Sequence, residues 1–260
     1  MAESRALTDW IGFKTIIIRE FSRIVRIWGQ TLVPPAVTAT LYFVIFGSLI
    51  GRRVGQIGGY DYMQFMAPGI IMMNVITTSY GNVVSSFFGA KFGKHIEELL
   101  VSPLPNWLIV AGYTMGGVLR GVLVGAVVTI ISLFFTRLSI HHALAIITAA
   151  FLTSFIFALG GFINALFAKN FDQISWFPTF VLQPLTYLGG VFYSVTMLPG
   201  WAHVASNANP ILYMVSAFRF GFLGTSDVDL RLAYAIMICA ATVMFTLAVT
   251  LMNRGTGIRE

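Results

Sequence analysis

Charge is what this sequence has least of. Asp, Glu, Lys and Arg make up 10% of its 260 residues, against roughly 25% in a soluble domain whose surface must stay wet. Hydrophobic residues make up 57%, and the mean hydropathy is +0.82. A chain this poor in charge has a surface that faces lipid, and no stretch outside its apolar segments is long enough to fold alone. Cysteine is nearly absent. The single Cys239 lies in an apolar run, which excludes an intrachain disulfide and leaves the redox compartment unread. The first 30 residues lack the short apolar core and small-residue cleavage site of a cleavable signal peptide, so none is expected.

Catalytic and ligand-binding patterns are missing as well. The nearest approach to a phosphate loop is Gly89-Ala-Lys-Phe-Gly93-Lys94-His95. It has three residues between its glycines where a Walker A loop needs four, and His follows the lysine where Ser or Thr is required. His141 and His142 are adjacent, and His203 has no Cys or carboxylate at ligand spacing, so there is no zinc pattern. The ten carboxylates are read as lying in or beside loops, so no buried acid–base pair is expected. Proton- and ion-driven carriers usually keep Asp, Glu or His within their spans. Here the one ionisable residue expected deep in a span is Arg120, either a functional charge or one that snorkels or caps carbonyls at a helix crossing. Asn74, Asn82, Asn164 and Gln183 are open to two readings, interhelical bonds or pathway lining. A pump with neither a proton relay nor a nucleotide site takes its energy from another subunit. The net charge of +6 suits loops facing anionic headgroups and does not indicate nucleic acid.

What the sequence has in abundance is long apolar runs. A spanning helix needs about 20 apolar residues, and candidates lie at 31–51, 64–89, 107–135, 142–168, 176–194 and 232–252. The expected class is therefore all-α integral membrane, with six transmembrane helices. Residues 8–28 form an amphipathic helix on paper. Trp10, Phe13, Ile17, Phe21, Ile24 and Trp28 share one stripe, while Thr15, Arg19, Ser22, Arg23 and Arg26 share the other. Such a helix lies in the membrane interface with its arginines among the headgroups; packing against a soluble partner is the alternative. This divides the chain into a cytosolic N-terminus, 1–30, and a transmembrane domain, 31–260. With the N-terminus inside, the inner segments hold ten basic residues, five of them in 1–30 followed by Lys91, Lys94, Lys169, Arg254 and Arg259. The outer segments hold five: Arg52, Arg53, Arg137, Arg219 and Arg231. That bias puts both termini of a multi-pass protein in the cytosol, and the bacterial inner membrane is the expected location.

Two segments are not ordinary loops. Residues 92–101 form a short cytosolic helix bounded by Gly93 and Pro103, with Ile96, Leu99 and Leu100 on an apolar side and Lys94, His95, Glu97 and Glu98 charged. Residues 195–231 are too apolar for a free loop and too broken by Pro199, Gly200 and Pro210 for a clean span. Short helices dipping into the membrane are expected there, covered by protein or a cavity. On the third span Gly117, Gly121 and Gly125 recur every four residues, with Gly112 and Gly116 as a second pair and Gly161 and Ala165 on the fourth span. Small residues at that spacing let helices approach closely.

Phe177-Pro178, then Gln183-Pro184-Leu185-Thr186-Tyr187-Leu188-Gly189-Gly190-Val191-Phe192-Tyr193, Leu198-Pro199, Asn209-Pro210 and Arg219 resemble, in order and spacing, the signature of ABC-2 type transporter permeases. Gly93, Glu97, Glu98, Leu99, Leu100, Ser102 and Pro103 resemble that family's coupling helix. The resemblance covers essentially the whole chain. Ser194 departs from the proline many members carry there, and with Thr186 and the glycine pair it looks most like the YadH-like subset. The resemblance implies an exporter of two permease copies and two separate ATPase subunits. No cofactor is then expected in this chain, since ATP and Mg belong to the ATPase. It implies that 8–28 is the connecting helix and that Lys94, His95, Ile96, Glu97, Glu98, Leu99 and Leu100 couple to the ATPase. It places Tyr42, Phe46, Asn82, Phe180, Gln183, Tyr187 and Phe192 on the pathway and dimer seam. It places Tyr193, Pro199, Asn209, Pro210 and Arg219 at an external gate. The expected function is a non-enzymatic permease subunit moving a lipid, glycolipid, polysaccharide or hydrophobic drug, with membrane lipid as a further partner. A self-contained carrier or channel and a membrane-embedded enzyme are the competing readings. An intramembrane carboxylate relay would favour the carrier, and paired polar residues at one interface the enzyme.

Overall fold

The computed structural model describes residues 2–257, with the side chains of residues 2–5, 48, 49 and 52 outside the description. Of the basic residues used for orientation, Arg259 therefore lies outside the described residues, as do the side chains of Arg5 and Arg52. The described chain is helical almost throughout. Helix α1 (Ala2–Arg26) leads into α2 (Trp28–Tyr42), which continues as a π-helical stretch, Phe43–Ile50, and a last turn, α3 (Gly51–Val54). A small hairpin of β1 (Gln56–Ile57) and β2 (Tyr60–Asp61) follows, with Gln56 opposite Asp61 and Ile57 opposite Tyr60. Its turn uses Gly58 and Gly59 at φ of 58° and 85°, where a side chain would be strained. Asp61 and Gln64 then form a reciprocal capping box that starts α4 (Tyr62–Phe92).

Short α5 (Ile96–Val101) precedes α6 (Asn106–Ser132) and α7 (Ala143–Phe167). The chain continues as α8 (Phe171–Phe177), a π-helical turn over Pro178–Leu182, and α9 (Gln183–Tyr187). After an irregular turn come α10 (Gly200–Asn207), α11 (Pro210–Leu223) and α12 (Leu230–Asn253). The side chains of Asn209 and Asp229 cap α11 and α12 by accepting from the backbone N–H of Ile211 and Arg231.

Among the described residues four helical segments are long and apolar enough to cross a membrane: Trp28–Gly47, Asn106–Ser132, Ala143–Phe167 and Leu230–Asn253. The other two expected spans differ for physical reasons. Segment 64–89 lies within α4, which α2, α6, α7 and α11 surround. A helix solvated by protein can carry Asn74, Ser79 and Asn82, all buried, and its hydropathy falls accordingly. Segment 176–194 is helical only to Tyr187. Beyond it the chain turns at Gly190, whose φ is 71°.

Glycines bring the central helices together. A Cβ on Gly117 or Gly121 would stand within 3 Å of Val83 and Ala158, or of the Ser79 hydroxyl. Gly112 and Gly116 face the other way and admit Ile16 and Glu20 of α1. Gly161 on α7 sits against the α4 backbone, where a Cβ would lie 2.4 Å from the Tyr80 carbonyl oxygen. Backbone cannot yield as a flexible side chain does. Gly161→Val is expected to cost about 1–3 kcal/mol of stability, read as a lower thermal midpoint of the detergent-solubilised protein. An unchanged midpoint would show that α4 and α7 can separate freely.

Candidate functional site

The N-terminal helix does not lie on the molecule as a simple amphipathic rod. Trp10, Phe21 and Trp28 are exposed, as expected of a stripe facing lipid, but Ile16, Glu20 and Ile24 are buried against α6. Two expectations are corrected here. The carboxylates are not all in or beside loops, since Glu20 lies within α1 and is 1% exposed. Nor do Arg19 and Arg23 extend freely among headgroups. Arg23 donates to the Asn82 side-chain oxygen at 2.7 Å, to the Asn82 carbonyl at 3.2 Å and to the Glu20 carboxylate at 3.0 Å. Arg19 donates to the Tyr113 hydroxyl, and Ser86 donates to Glu20. Arg120 reaches the same Asn82 oxygen at 3.4 Å, a side-chain acceptor inside the protein. The guanidinium groups of Arg19 and Arg23 thus lie within 4.0 Å of one carboxylate, and Arg120 joins the cluster through Asn82. Their local cause is the glycine pair of α6. Only a missing side chain at Gly116 leaves room for Glu20 beneath α1.

Below this cluster the chain leaves α4 through a tight turn in which Lys94 adopts φ of 60°. The expected short helix of 92–101 is therefore shorter, beginning at Ile96, and Lys94 and His95 belong to the turn. Its apolar side is divided. Ile96 is buried in the protein's own core with Phe88 and Leu108, Leu99 is half-buried, and Leu100 and Val101 point outward. Ile96 thus faces inward, while Leu100, expected on the same apolar side, faces out. Glu97 and Glu98 are exposed. Glu98 and His95 border a cavity of about 660 Å³ whose far wall is Arg19, Glu20 and Arg23.

The residues assigned to a pathway do not all meet. Tyr42, Phe46, Tyr187 and Phe192 form one aromatic group, with Phe46 stacked on Phe192 at 4.8 Å and the hydroxyls of Tyr42 and Tyr187 3.3 Å apart. Tyr42, Gln183 and Tyr187 also line a cavity of about 280 Å³ with Pro34, Asn74 and Thr77. Asn82 is elsewhere, in the arginine cluster, because it lies two turns further along α4 than Asn74. Phe180 points away from the group and pairs with Trp176 at 5.9 Å.

At the opposite end of α4 lies a second buried charge. Arg219, counted among the outer basic residues, meets backbone carbonyls. It is 1% exposed and donates to Gly190 at 2.6 Å and Phe65 at 3.3 Å. Its remaining nitrogen pairs with Asp227 at 3.3 Å, and its carbon lies 3.8 Å from the centre of the Phe65 ring. Ser194 donates to the other Asp227 oxygen at 2.7 Å. The residue that departs from the common proline therefore supplies a hydroxyl to this network. Tyr62 donates to the Phe192 carbonyl at 3.1 Å, and a Cβ on Gly69 would lie 2.5 Å from the Val191 oxygen. Asn209 reaches from its cap to the Leu185 carbonyl at 2.6 Å. Among the expected gate residues, Arg219 thus ties down turn 188–194 and Asn209 the end of α9 before it, while Tyr193 is half-buried, Pro199 precedes α10 and Pro210 begins α11. Sequence reasoning missed Asp227 and Glu20. Asp227 reads as one more polar residue in Ser-Asp-Val-Asp, and Glu20 as part of a charged stripe.

Residues 11–223 match the family of ABC-2 type transporters. Over 251 residues the chain is 52% identical to the inner membrane transport permease YadH of Escherichia coli (strain K12), covering 96% of this chain and 98% of the relative. It is 26% identical over 218 residues to nodulation protein J of Rhizobium leguminosarum bv. trifolii, covering 82% of each. Nodulation protein J of Rhizobium meliloti (strain 1021) is 24% identical over the same length. A family match over most of the chain and a half-identical relative from end to end agree with the helices described, and the chain belongs to the ABC-2 type transporter family.

Proposed function

We propose that this chain is the transmembrane permease subunit of an ATP-driven exporter. It works as a homodimer with two copies of a separate ATPase, which bind the ATP and Mg. The observation that carries this reading is the reach of α4. At ~1.5 Å per residue its 31 residues extend about 46 Å, longer than the ~30 Å hydrocarbon core. It begins beside the Arg219 network, passes the arginine cluster at Asn82, and ends two residues short of Lys94 at the α5 turn. A push on α5 is transmitted along one rigid element to both ends of the protein.

In this reading α2 with α3, α4, α6, α7, α8 with α9, and α12 are the six crossings, with both termini cytosolic in a bacterial inner membrane. The N-terminal α1 is the connecting helix, α5 is the coupling helix, and α10 and α11 are re-entrant. The aromatic group of Tyr42, Phe46, Tyr187 and Phe192 borders the pathway near the dimer seam. The substrate is a lipid, glycolipid, polysaccharide or hydrophobic drug. The buried Glu20 is the one observation that favours a self-contained carrier. Its carboxylate is held by Arg23 and Ser86, however, and a fixed ion pair is a poor proton carrier. The test is affinity purification from mild detergent followed by native mass spectrometry. Two permeases with two copies of a Walker-type ATPase are expected. A permease purified alone, as a monomer, would sink the proposal.

A further inference from the structure

Between α1, α6 and α7 lies a groove of about 620 Å³, floored by Ile71 and Val75 of α4 and by Phe218 of α11. It exists because α6 and α7 close on each other at one level only. At Gly117 and Gly121 they meet, where a Cβ on either glycine would come within 3.1 Å of Ala158 or Ser154. Toward the α6–α7 connection the walls carry Ala126 and Ala150, which leave the space between them unfilled. Among the described residues that line it, Thr129 alone has a hydroxyl, and that hydroxyl donates to the Gly125 carbonyl at 2.7 Å. A charged or polar group would find no partner inside, so the occupant is apolar. The mouth faces hydrocarbon. Helices α6 and α7 are both long and apolar enough to cross a membrane, and the lips Val122, Ile147 and Phe151 are 42%, 65% and 42% exposed. Ile130 continues the row of 122 and 126 on α6, and Leu144 the row of 147 and 151 on α7, both exposed. The groove is therefore continuous with the lipid-facing surface of the two spans. From Met115 to Thr129 it runs about 21 Å at ~1.5 Å per residue, more than half of the ~30 Å hydrocarbon core. Thr129 and Ile146 bring one end within a turn of the helix ends at Ser132 and Ala143. Since Glu20 sits on Gly116, Phe21 and Ile24 of α1 border the other end, near Met115.

We propose that one acyl chain of a membrane phospholipid occupies this groove. The lipid belongs to the leaflet that holds the α6–α7 connection. Its head stays at the membrane surface, and its chain runs inward along α6 until the terminal methyl meets Phe21 and Ile24. A long apolar slot suits an alkyl chain, which needs contact along its length and no hydrogen bond. The chain then completes the packing of α1 on the side away from α4, beside the turn that carries Glu20 and Arg23. This inference rests on α6 and α7 lying in the bilayer, and on neither the ATPase nor export.

The test is photolabelling of the purified chain in a neutral detergent, using a phosphatidylcholine whose oleoyl-length chain ends in a diazirine. Adducts mapped by mass spectrometry are expected on Phe21, Ile24, Met115 and Leu119, severalfold above those on Val243 and Leu247. These two are exposed on α12 at a similar depth, since Asn106 and Asn253 pair at the shared end of α6 and α12. Unlabelled dioleoyl-phosphatidylcholine should suppress the groove adducts, whereas dioctanoyl-phosphatidylcholine, with the same head and a chain too short for the slot, should not. Ala126→Phe places a ring in the groove from an exposed position and should abolish the groove adducts without lowering the thermal midpoint. Ala150→Phe should do the same from the opposite wall. Equal labelling of α12 and the groove would mean annular lipid only and overturn the proposal, as would groove labelling undiminished in both variants. Oleic acid displacing the probe where the phospholipid fails to do so would assign the groove to a free fatty acid and overturn the phospholipid. None of these readouts involves the ATPase, so the permease reading can fail in the purification experiment while this site stands, and the reverse.

Discussion

Arg219→Ala is expected to reduce transport more than tenfold and to lower the thermal stability of the protein. The guanidinium group is the common partner of Gly190, Phe65 and Asp227, three positions on three separate segments. Removing it leaves two carbonyls without their donor and a carboxylate that keeps only Ser194. Breaking a buried ion pair from one side costs about 3–5 kcal/mol when both groups are fully desolvated. Asp227 keeps 13% side-chain exposure, which places the cost toward the lower end. Arg219→Lys should rescue little, because one ammonium group cannot serve three acceptors arranged around a planar fork. A double-mutant cycle isolates the pair. Asp227→Asn should be less damaging in the Arg219→Ala background than in the native one. Since the network lies at the far end of α4 from α5, co-purification of the ATPase should survive the change. Equal transport and an equal thermal midpoint in Arg219→Ala would show that turn 188–194 is held by packing alone.

Charge reversal on α5 should have the second large effect, and of a different kind. Glu97→Arg or Glu98→Arg is expected to release the ATPase or to separate hydrolysis from transport, with the permease itself still folded. Both carboxylates are exposed, and Ile96 anchors the helix from beneath, so the outer face can be changed without disturbing the core. An ATPase that moves on binding ATP must push something rigid. Within this segment only Ile96–Val101 is helical, fastened to α4 by the short turn at Lys94. If the glutamates pair with basic groups in a closed cleft, each reversal costs several kcal/mol of binding; at a wet rim the loss is about 0–1 kcal/mol. Lys169→Glu, in the short connection before α8, should do much less. Transport and ATPase binding unchanged by both reversals would remove these residues from the coupling role.

How far the fold was legible follows from what each helix faces. The helices around 31–51, 107–135, 142–168 and 232–252 announce themselves because lipid is their solvent, and lipid demands unbroken apolar runs. Helix α4 is harder to judge from hydropathy because protein surrounds it and accepts its Asn and Ser residues. The buried charges were the least legible part. A charged stripe on α1 reads identically whether it faces water or folds inward onto Asn82. The signals that separate the cases were present, however. Glu20 and Arg23 are three residues apart, and the α6 glycines at 112 and 116 offer a groove that only another helix could fill. Asp227 could not be paired with Arg219 from spacing, since the intervening Gly224 turns the chain back through a left-handed cap. Arg219 looked like one more outer basic residue for the same reason. Orientation counts treat every arginine as solvated, and this one is not.

The central claim, that this permease is driven by a separate ATPase through α5, is tested most directly by ATP hydrolysis in lipid nanodiscs. The co-purifying ATPase is measured alone, with the native permease, and with the Glu97→Arg, Glu98→Arg double variant. The account predicts that the native permease changes the hydrolysis rate severalfold and that the double variant returns it to the rate of the ATPase alone. An ATPase whose rate is the same in all three mixtures, or a permease that moves its substrate on an ion gradient without ATP, would contradict it.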